Sequence, residues 1–263
     1  MLSVIVPCFN ERHTIGGVLT EIAAALPAVP KEIIVVDDGS NDGTREWLQA
    51  NFPLGTVTCG GFRIGADGQA QLTPVQGNAP APVTINVTFH EQNRGKGGAL
   101  RTGFVKATGD VVVIQDADLE YDPQDWARMY SLIVERKVAD VVYGSRFFGS
   151  PHRSLFYHYY LANRLISFIF NVLYNQMLSD IEVCYKMMRR VVLESLRLTA
   201  DDFGIEIEIS TQIARAGRWR IYEIGIAYYG RSYAEGKKIN WKDGVKALFY
   251  LFKYRFTKIG SGA

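Results

Sequence analysis

The sequence is short of cysteine, with three in 263 residues, at positions 8, 59 and 184. None stands in a CxxC or CxH spacing, which excludes a zinc site or a disulfide framework as the organising device. Scattered and odd in number, they read as small apolar thiols of a reducing compartment. Net charge is equally scarce, +2 at pH 7, so the whole molecule is no polyanion binder and no nucleic-acid partner is expected. Long apolar runs are missing. The longest uncharged apolar stretch, 165–179, falls short of the roughly 20 residues that cross a bilayer. The opening MLSVIVPCFNER lacks the charged region and cleavage site of a signal peptide and reads as a first strand. The expected location is the cytoplasm, free or resting on the cytoplasmic face of a membrane.

What the chain does have is apolar mass: 48 %, with 14 Phe and 14 Tyr, enough for the core of one large α/β domain. Val/Ile-rich runs at 2–7, 31–37, 83–89, 110–115 and 139–143 predict strands covered on both faces. Helical spacing lies between them. Residues 11–26 set Ile15, Val18, Leu19, Ile22 and Leu26 on one stripe; 97–108 and 123–137 follow, the latter opened by Asp122 as cap and Pro123. This alternation predicts a mostly parallel, doubly wound, Rossmann-like sheet, which binds ligands beyond the carboxyl ends of its strands. Residues 51–82 break the rhythm and read as an inserted surface hairpin or partly mobile loop. Beyond 151 the pattern predicts an aromatic helix (155–176), a strand in EVCYKMMRR, a helix (203–216), one or two strands in WRIYEIGIAYY, and a basic, aromatic, amphipathic helix (240–256).

The stretch VVVIQDADLEYDP (111–123) runs a buried strand into Asp116, Asp118 and Glu120. A solvated turn needs only Asp122 for capping and leaves these three unexplained. Residues two apart on an extended segment point to one side. Such a row suits a hard divalent cation, Mg²⁺ or Mn²⁺, bridging to a diphosphate. DDGSNDGT (37–44) is turn-forming by composition, yet at a strand end Asp38 can accept from a nucleobase N–H with Ser40 assisting. NRGKGGALRTG (93–103) is not a P-loop. Its glycines either let backbone approach phosphate, with Arg94 and Lys96 facing it, or pack a helix.

The set VIVPCFNE, EIIVVDDGSNDGT, NRGKGGALRTGF, GDVVVIQDADLEYDP and VVYGSRF resembles the family 2 glycosyltransferases with the GT-A fold. Within them it is similar to the dolichyl- or polyprenyl-phosphate hexosyl synthases, as is the tail from FGIEIEIS to WKDGVKAL. The resemblance covers nearly all but 51–82. It implies a single GT-A domain over 1–263: a nucleotide-sugar-binding half (1–145, with the insertion) and an acceptor and interface half (146–263). It implies that Pro7, Phe9 and Glu11 line the nucleoside pocket with Asp38 on the base. Asp116 and Asp118, flanking Ala117, form the DxD motif, and Glu120 falls where relatives often carry Gln beside the metal. Arg146 in GSR would meet the acceptor phosphate or the moving sugar. Arg231, Lys237 and Lys238 would close over the diphosphate. An arginine of related interface helices is replaced here by Tyr160.

The reaction so implied is inverting transfer of a hexose from a UDP- or GDP-sugar to a polyprenyl phosphate or other membrane lipid. An ionised phosphate acceptor needs no general base; a hydroxyl acceptor, for polysaccharide or glycolipid, does, and Asp201, Asp202 and Glu206 in DDFGIE are the candidates. A non-catalytic nucleotide-sugar-binding module is the reading from another class, weakened by the presence of Asp116, Asp118 and Arg146. A pyrophosphorylase would open on a Gly-rich phosphate loop, which VIVPCFNE is not. Phe156, Tyr159, Tyr160, Trp241, Phe249 and Phe252, with nearby Lys and Arg, suit a membrane interface, beside the plainer role of packing. His152 and His158 are too isolated to be metal ligands. Sugar, base and oligomeric state are not encoded legibly.

Overall fold

Strands form where β-branched residues run unbroken, and helices where the apolar stripe returns every three or four residues. A computed structural model describes residues 1–75, 80–154, 156–232, 235 and 241–257, with backbone alone for 241–243. The first unit is β1 (Leu2–Cys8), α1 (Ile15–Ala24) and β2 (Lys31–Asp37), in parallel register from Leu2 opposite Lys31 to Cys8 opposite Asp37. Every residue of β2 is buried, as its uninterrupted apolar run requires. α1 starts four residues later than its stripe suggests. Glu11–Thr14 form a turn there, and Asn10 sits at φ 54°.

A short helix not anticipated from pattern, α2 (Thr44–Asn51), leads into the insertion. The segment at 51–82 is more than a surface hairpin. β3 (Thr56–Cys59) joins the main sheet, antiparallel to β6 (Val83–Phe89). β4 (Gly61–Ile64) and β5 (Ala70–Thr73) form the expected hairpin. That hairpin is docked: Ile64 lies against Gly16 of α1, Phe62 stacks on Phe52, and the Trp47 indole N–H donates to the Gly68 carbonyl at 2.9 Å.

After β6 come α3 (Gly95–Lys106), β7 (Val111–Ile114), a 3₁₀ turn capped by Asp122 and α4 (Trp126–Tyr130), which continues as a π-helical turn over Ser131–Glu135. Then follow β8 (Val141–Ser145), α5 (Tyr157–Tyr174), β9 (Lys186–Arg189), the short α6 (Arg190–Glu194), α7 (Gly204–Ala216), β10 (Ile221–Gly225) and α8 (Trp241–Phe256). The sheet order is β10-β8-β9-β7-β1-β2-β6-β3. β9 runs antiparallel between β7 and β8, and the remaining internal pairs are parallel. β1 pairs β2 on one side and β7 on the other, so the strand order reverses there and a crevice opens beyond its carboxyl end.

The glycines of NRGKGG pack a helix. Gly95 holds φ 79°, and the Gly97 N–H donates to the Asp201 carbonyl at 2.7 Å. A Cβ on Gly97 would overlap the Ala200 carbonyl oxygen, a backbone atom that no rotamer moves aside. Gly97→Ala is therefore expected to cost about 1–3 kcal/mol. Denaturant unfolding would read it, and unchanged stability would contradict the close approach of α3 to residues 200–201.

Candidate active site

The loops beyond β1, β2 and β7 meet the C-terminal helices around a cavity of about 720 Å³, within the range of ligand sites. Pro7, Phe9 and Glu11 line it from β1, Asp38 from β2, Lys96 from α3, and Asp116, Ala117, Asp118 and Glu120 from β7. Arg146, Glu206 and Arg231 close the far side. These expected residues are brought together. Four are not: Ser40, Arg94, Asp201 and Asp202 lie outside the cavity lining. Lys237 and Lys238 fall outside the described residues.

The loops are stapled before any ligand arrives. The Ser40 hydroxyl accepts from the Asn10 N–H at 2.9 Å, and Thr44 Oγ1 accepts from the Glu11 N–H at 3.0 Å. Ser40 thus ties the β1 loop to the β2 loop rather than assisting at a base. Asp38 is held by the His90 ring at 2.7 Å and by the Arg94 N–H at 2.9 Å, both on one carboxylate oxygen.

The acid row does not stay on one side. Leu119 adopts φ 59°, and this left-handed residue ends the alternation that would align Glu120 with Asp116 and Asp118. Glu120 turns instead to the C-terminal segment, accepting from the Tyr228 hydroxyl at 2.9 Å and the Arg231 N–H at 2.8 Å. Arg231 completes the cluster. Its guanidinium reaches Asp118 at 2.8 Å, and Glu11 and Glu120 at 3.3 Å. Burial, then Asp116 and Glu120, push Asp118 up to about 7, against the pull of Arg231. Among the described residues no three His, Cys, Asp or Glu side chains gather into a metal cage, so Glu120 is not assembled with the aspartates as a third ligand. The two aspartates still fit a hard cation that completes its shell with phosphate and water.

Behind Asp116 lies a buried chain of charges. Lys96 meets Asp116 at 2.9 Å and Glu206 at 3.1 Å, and Lys186 meets the other oxygen of Glu206. Burial works against the Lys96 charge, but Asp116, Cys184 and Glu206 outweigh it and hold the amine raised. Glu206 is thus locked between two ammonium groups rather than free to act as a base. Asp202 caps the Gly204 N–H at 2.9 Å and accepts from Tyr250 and Lys246. Asp201 pairs with Arg101. Of the candidate bases of DDFGIE only Glu206 lines the cavity, and it is held by Lys96 and Lys186.

Arg146, at the end of β8, forms a two-pronged pair with Asp180, Nε and Nη2 both at 2.6 Å. Nη1 makes no hydrogen bond with a described residue. Pattern reading missed Asp180, Glu182, Lys186 and Tyr228. The acids of SDIEVC repeat the two-residue spacing of Asp116 and Asp118, and that was the available signal.

The cavity runs between α5 and α8, where Ile166 and Leu248 line it. On the outer side of α5, Tyr157, Leu161, Leu165, Phe168 and Val172 form an exposed stripe; on α8, Val245, Phe249, Phe252 and Phe256 form another. Phe156 and Tyr160 are exposed as well, whereas Tyr159 faces the cavity with His158. The Trp241 side chain is outside the described residues. No described helix is long and apolar enough to cross a membrane.

The chain belongs to glycosyl transferase family 2, whose model matches residues 3–61 and 73–197. The gap, 62–72, falls on the docked hairpin. It is similar to the undecaprenyl-phosphate mannosyltransferase of Micrococcus luteus, 26 % identical over 243 residues, 89 % of this chain and 85 % of that protein. It is also similar to the dolichol-phosphate mannosyltransferase of Pyrococcus furiosus, 25 % identical over 246 residues, 90 % of this chain and 60 % of the relative. The dodecaprenyl-phosphate galacturonate synthase of Rhizobium johnstonii is 30 % identical over 147 residues, 55 % of this chain and 36 % of the relative. The chain therefore spans less than two thirds of these last two. Among solved structures, glucosyl-3-phosphoglycerate synthase from Mycobacterium tuberculosis, in complex with Mn²⁺, uridine diphosphate and phosphoglyceric acid, matches with TM-score 0.67 and 20 % identity. That match covers 100 % of this chain and 81 % of the other, and it gives the fold as GT-A.

The Asp118 environment has a measurable consequence without metal. A carboxyl raised in the folded state costs stability as pH rises from its unfolded value, about 4, through about 7. Asp118→Asn is expected to raise the melting temperature more at about pH 8 than at about pH 4. Equal shifts at both would contradict it. Arg231→Gln should move the Asp118 titration further upward, as read by carboxyl NMR.

Proposed function

We propose that the protein is a metal-dependent, inverting glycosyltransferase that moves a hexose from a UDP- or GDP-sugar to a polyprenyl phosphate or other membrane lipid. The observation that carries this reading is the pair Asp116 and Asp118 at the mouth of a cavity that continues between two aromatic helices. The relatives named for polyprenyl-phosphate acceptors support the acceptor class.

Asp116 and Asp118 would hold Mg²⁺ or Mn²⁺, which neutralises charge on the departing diphosphate. Lys96, paired with Asp116, holds that carboxylate in orientation. Arg231, shared among Glu11, Asp118 and Glu120, is the described cation placed to meet the diphosphate. Pro7, Phe9 and Asp38 receive the nucleoside. The acceptor oxygen forms a bond to the anomeric carbon while the bond from that carbon to the diphosphate oxygen breaks, its electron pair leaving with the diphosphate. A lipid phosphate is already ionised near neutrality and attacks without a base. The engagement of Asp202 and Glu206 favours this acceptor over a hydroxyl. Arg146, held rigid by Asp180, positions the nucleophile. Residues 1–145 serve the donor and 146–263, Arg231 apart, the acceptor. The outer stripes of α5 and α8 rest on the membrane surface, flanked by Arg164, Lys253 and Arg255.

The test is incubation with labelled UDP- and GDP-hexoses, Mn²⁺ or Mg²⁺ and polyprenyl phosphate in vesicles. A lipid-linked, acid-labile product of inverted anomer is expected. Product on hydroxyl acceptors alone, or tight donor binding without transfer, would overturn the reading. Asp118→Asn should weaken Mn²⁺-dependent donor binding at least about tenfold by calorimetry, roughly 1.4 kcal/mol. Arg146→Lys should keep donor affinity and lose transfer. Phe249→Ser combined with Phe252→Ser should reduce co-sedimentation with anionic vesicles while donor affinity persists.

A further inference from the structure

The carboxylates that line the cavity are almost all spoken for. Glu11, Asp118 and Glu120 share Arg231; Asp38 is held by His90; Asp116 and Glu206 share Lys96. Glu182 alone lines the cavity without a hydrogen bond or ion pair to a described residue. It stands two residues from Asp180, in the segment that holds Arg146. A charged carboxylate left without a partner in such a place is costly, and a neutral one is a good donor.

We propose that Glu182 is an acceptor-recognising residue: from the cavity wall it shares with Arg146, its carboxyl donates a hydrogen bond to the phosphate of the lipid acceptor. The assignment rests on the phosphate-acceptor reading above and names a residue for it. The groups around Glu182 are consistent with a neutral carboxyl. Arg146 is already balanced by Asp180, and Lys186 by Glu206, so neither leaves a full positive charge to hold Glu182 ionised. α5 brings His158 and Tyr159 to the same cavity, and the β7 loop brings Tyr121. Burial pushes Glu182 up to about 7; Arg146 and Lys186 pull it down, while Asp180 and Glu206 push it further up. A phosphate dianion arriving there meets a donor below that value and a repelling charge above it.

The direction follows. As pH rises through about 7, Glu182 ionises and the acceptor is bound less well. Between about pH 6 and about pH 8 the neutral fraction of such a group falls roughly tenfold. The experiment is steady-state kinetics of the full chain with a short-chain polyprenyl phosphate, Mn²⁺ and the donor found above. In the wild type the acceptor KM should rise about tenfold over that range relative to Glu182→Gln, whose amide donates at every pH. The acceptor's own phosphate titrates alike with both proteins, so their ratio isolates Glu182. Glu182→Ala should raise the acceptor KM more than it lowers kcat, with donor KM as the control for folding. Parallel pH profiles for wild type and Glu182→Gln would overturn the assignment alone. Loss of turnover in Glu182→Gln with donor still bound would also overturn it, making Glu182 a base for a hydroxyl acceptor. Absence of wild-type transfer to any lipid phosphate would overturn this assignment together with the acceptor class.

Discussion

One guanidinium holds the site together. Arg231 bonds Glu11 from the loop after β1, Asp118 from the loop after β7, and Glu120 just beyond it. Two loops far apart in sequence are thereby fixed to the C-terminal segment that carries the cation. Remove it, and four acids of the cavity mouth, Asp116 included, face one another across low-dielectric space. Burial above all, then the charges of Asp116 and Glu120, keep Asp118 raised even with Arg231 present. The residual excess of negative charge is the driving force a divalent ion would satisfy, so the arginine that steadies the cluster also leaves it receptive.

The second network works differently. Asp116, Lys96, Glu206 and Lys186 alternate in sign through a buried region, and the glycines of α3 let that helix approach residues 200–201 closely enough to form it. Buried ion pairs contribute little net stability, but breaking one leaves an uncompensated charge. The network fixes the orientation of Asp116 while Arg231 governs its neighbour. Asp116 and Asp118 thus have different partners and different surroundings.

Much of this was legible in the sequence. The β-branched runs and the stripes between them gave the parallel sheet and the strand-end position of the site, because covered strands and amphipathic helices carry their burial in their periodicity. The family motifs gave Asp116, Asp118, Arg146 and Arg231. What pattern could not give were departures from regular backbone. Alternation put Glu120 in the acid row, and a single left-handed Leu119 took it out. Composition made 51–82 a loose excursion, and the packing of Trp47, Phe52, Phe62 and Ile64 docked it. Long-range pairing was equally hidden: nothing near Glu206 in sequence announces Lys96, and nothing near Asp180 announces Arg146.

The placement of β9 bears on how the chain is made. β7 and β8 do not pair with each other; each pairs with residues 186–189, which enter antiparallel between them. While the chain emerges from the ribosome, the facing ladders of both strands stay open until that short strand has been synthesised. The aspartates at the end of β7 are therefore mounted on a sheet that closes only once residues 186–189 are in place.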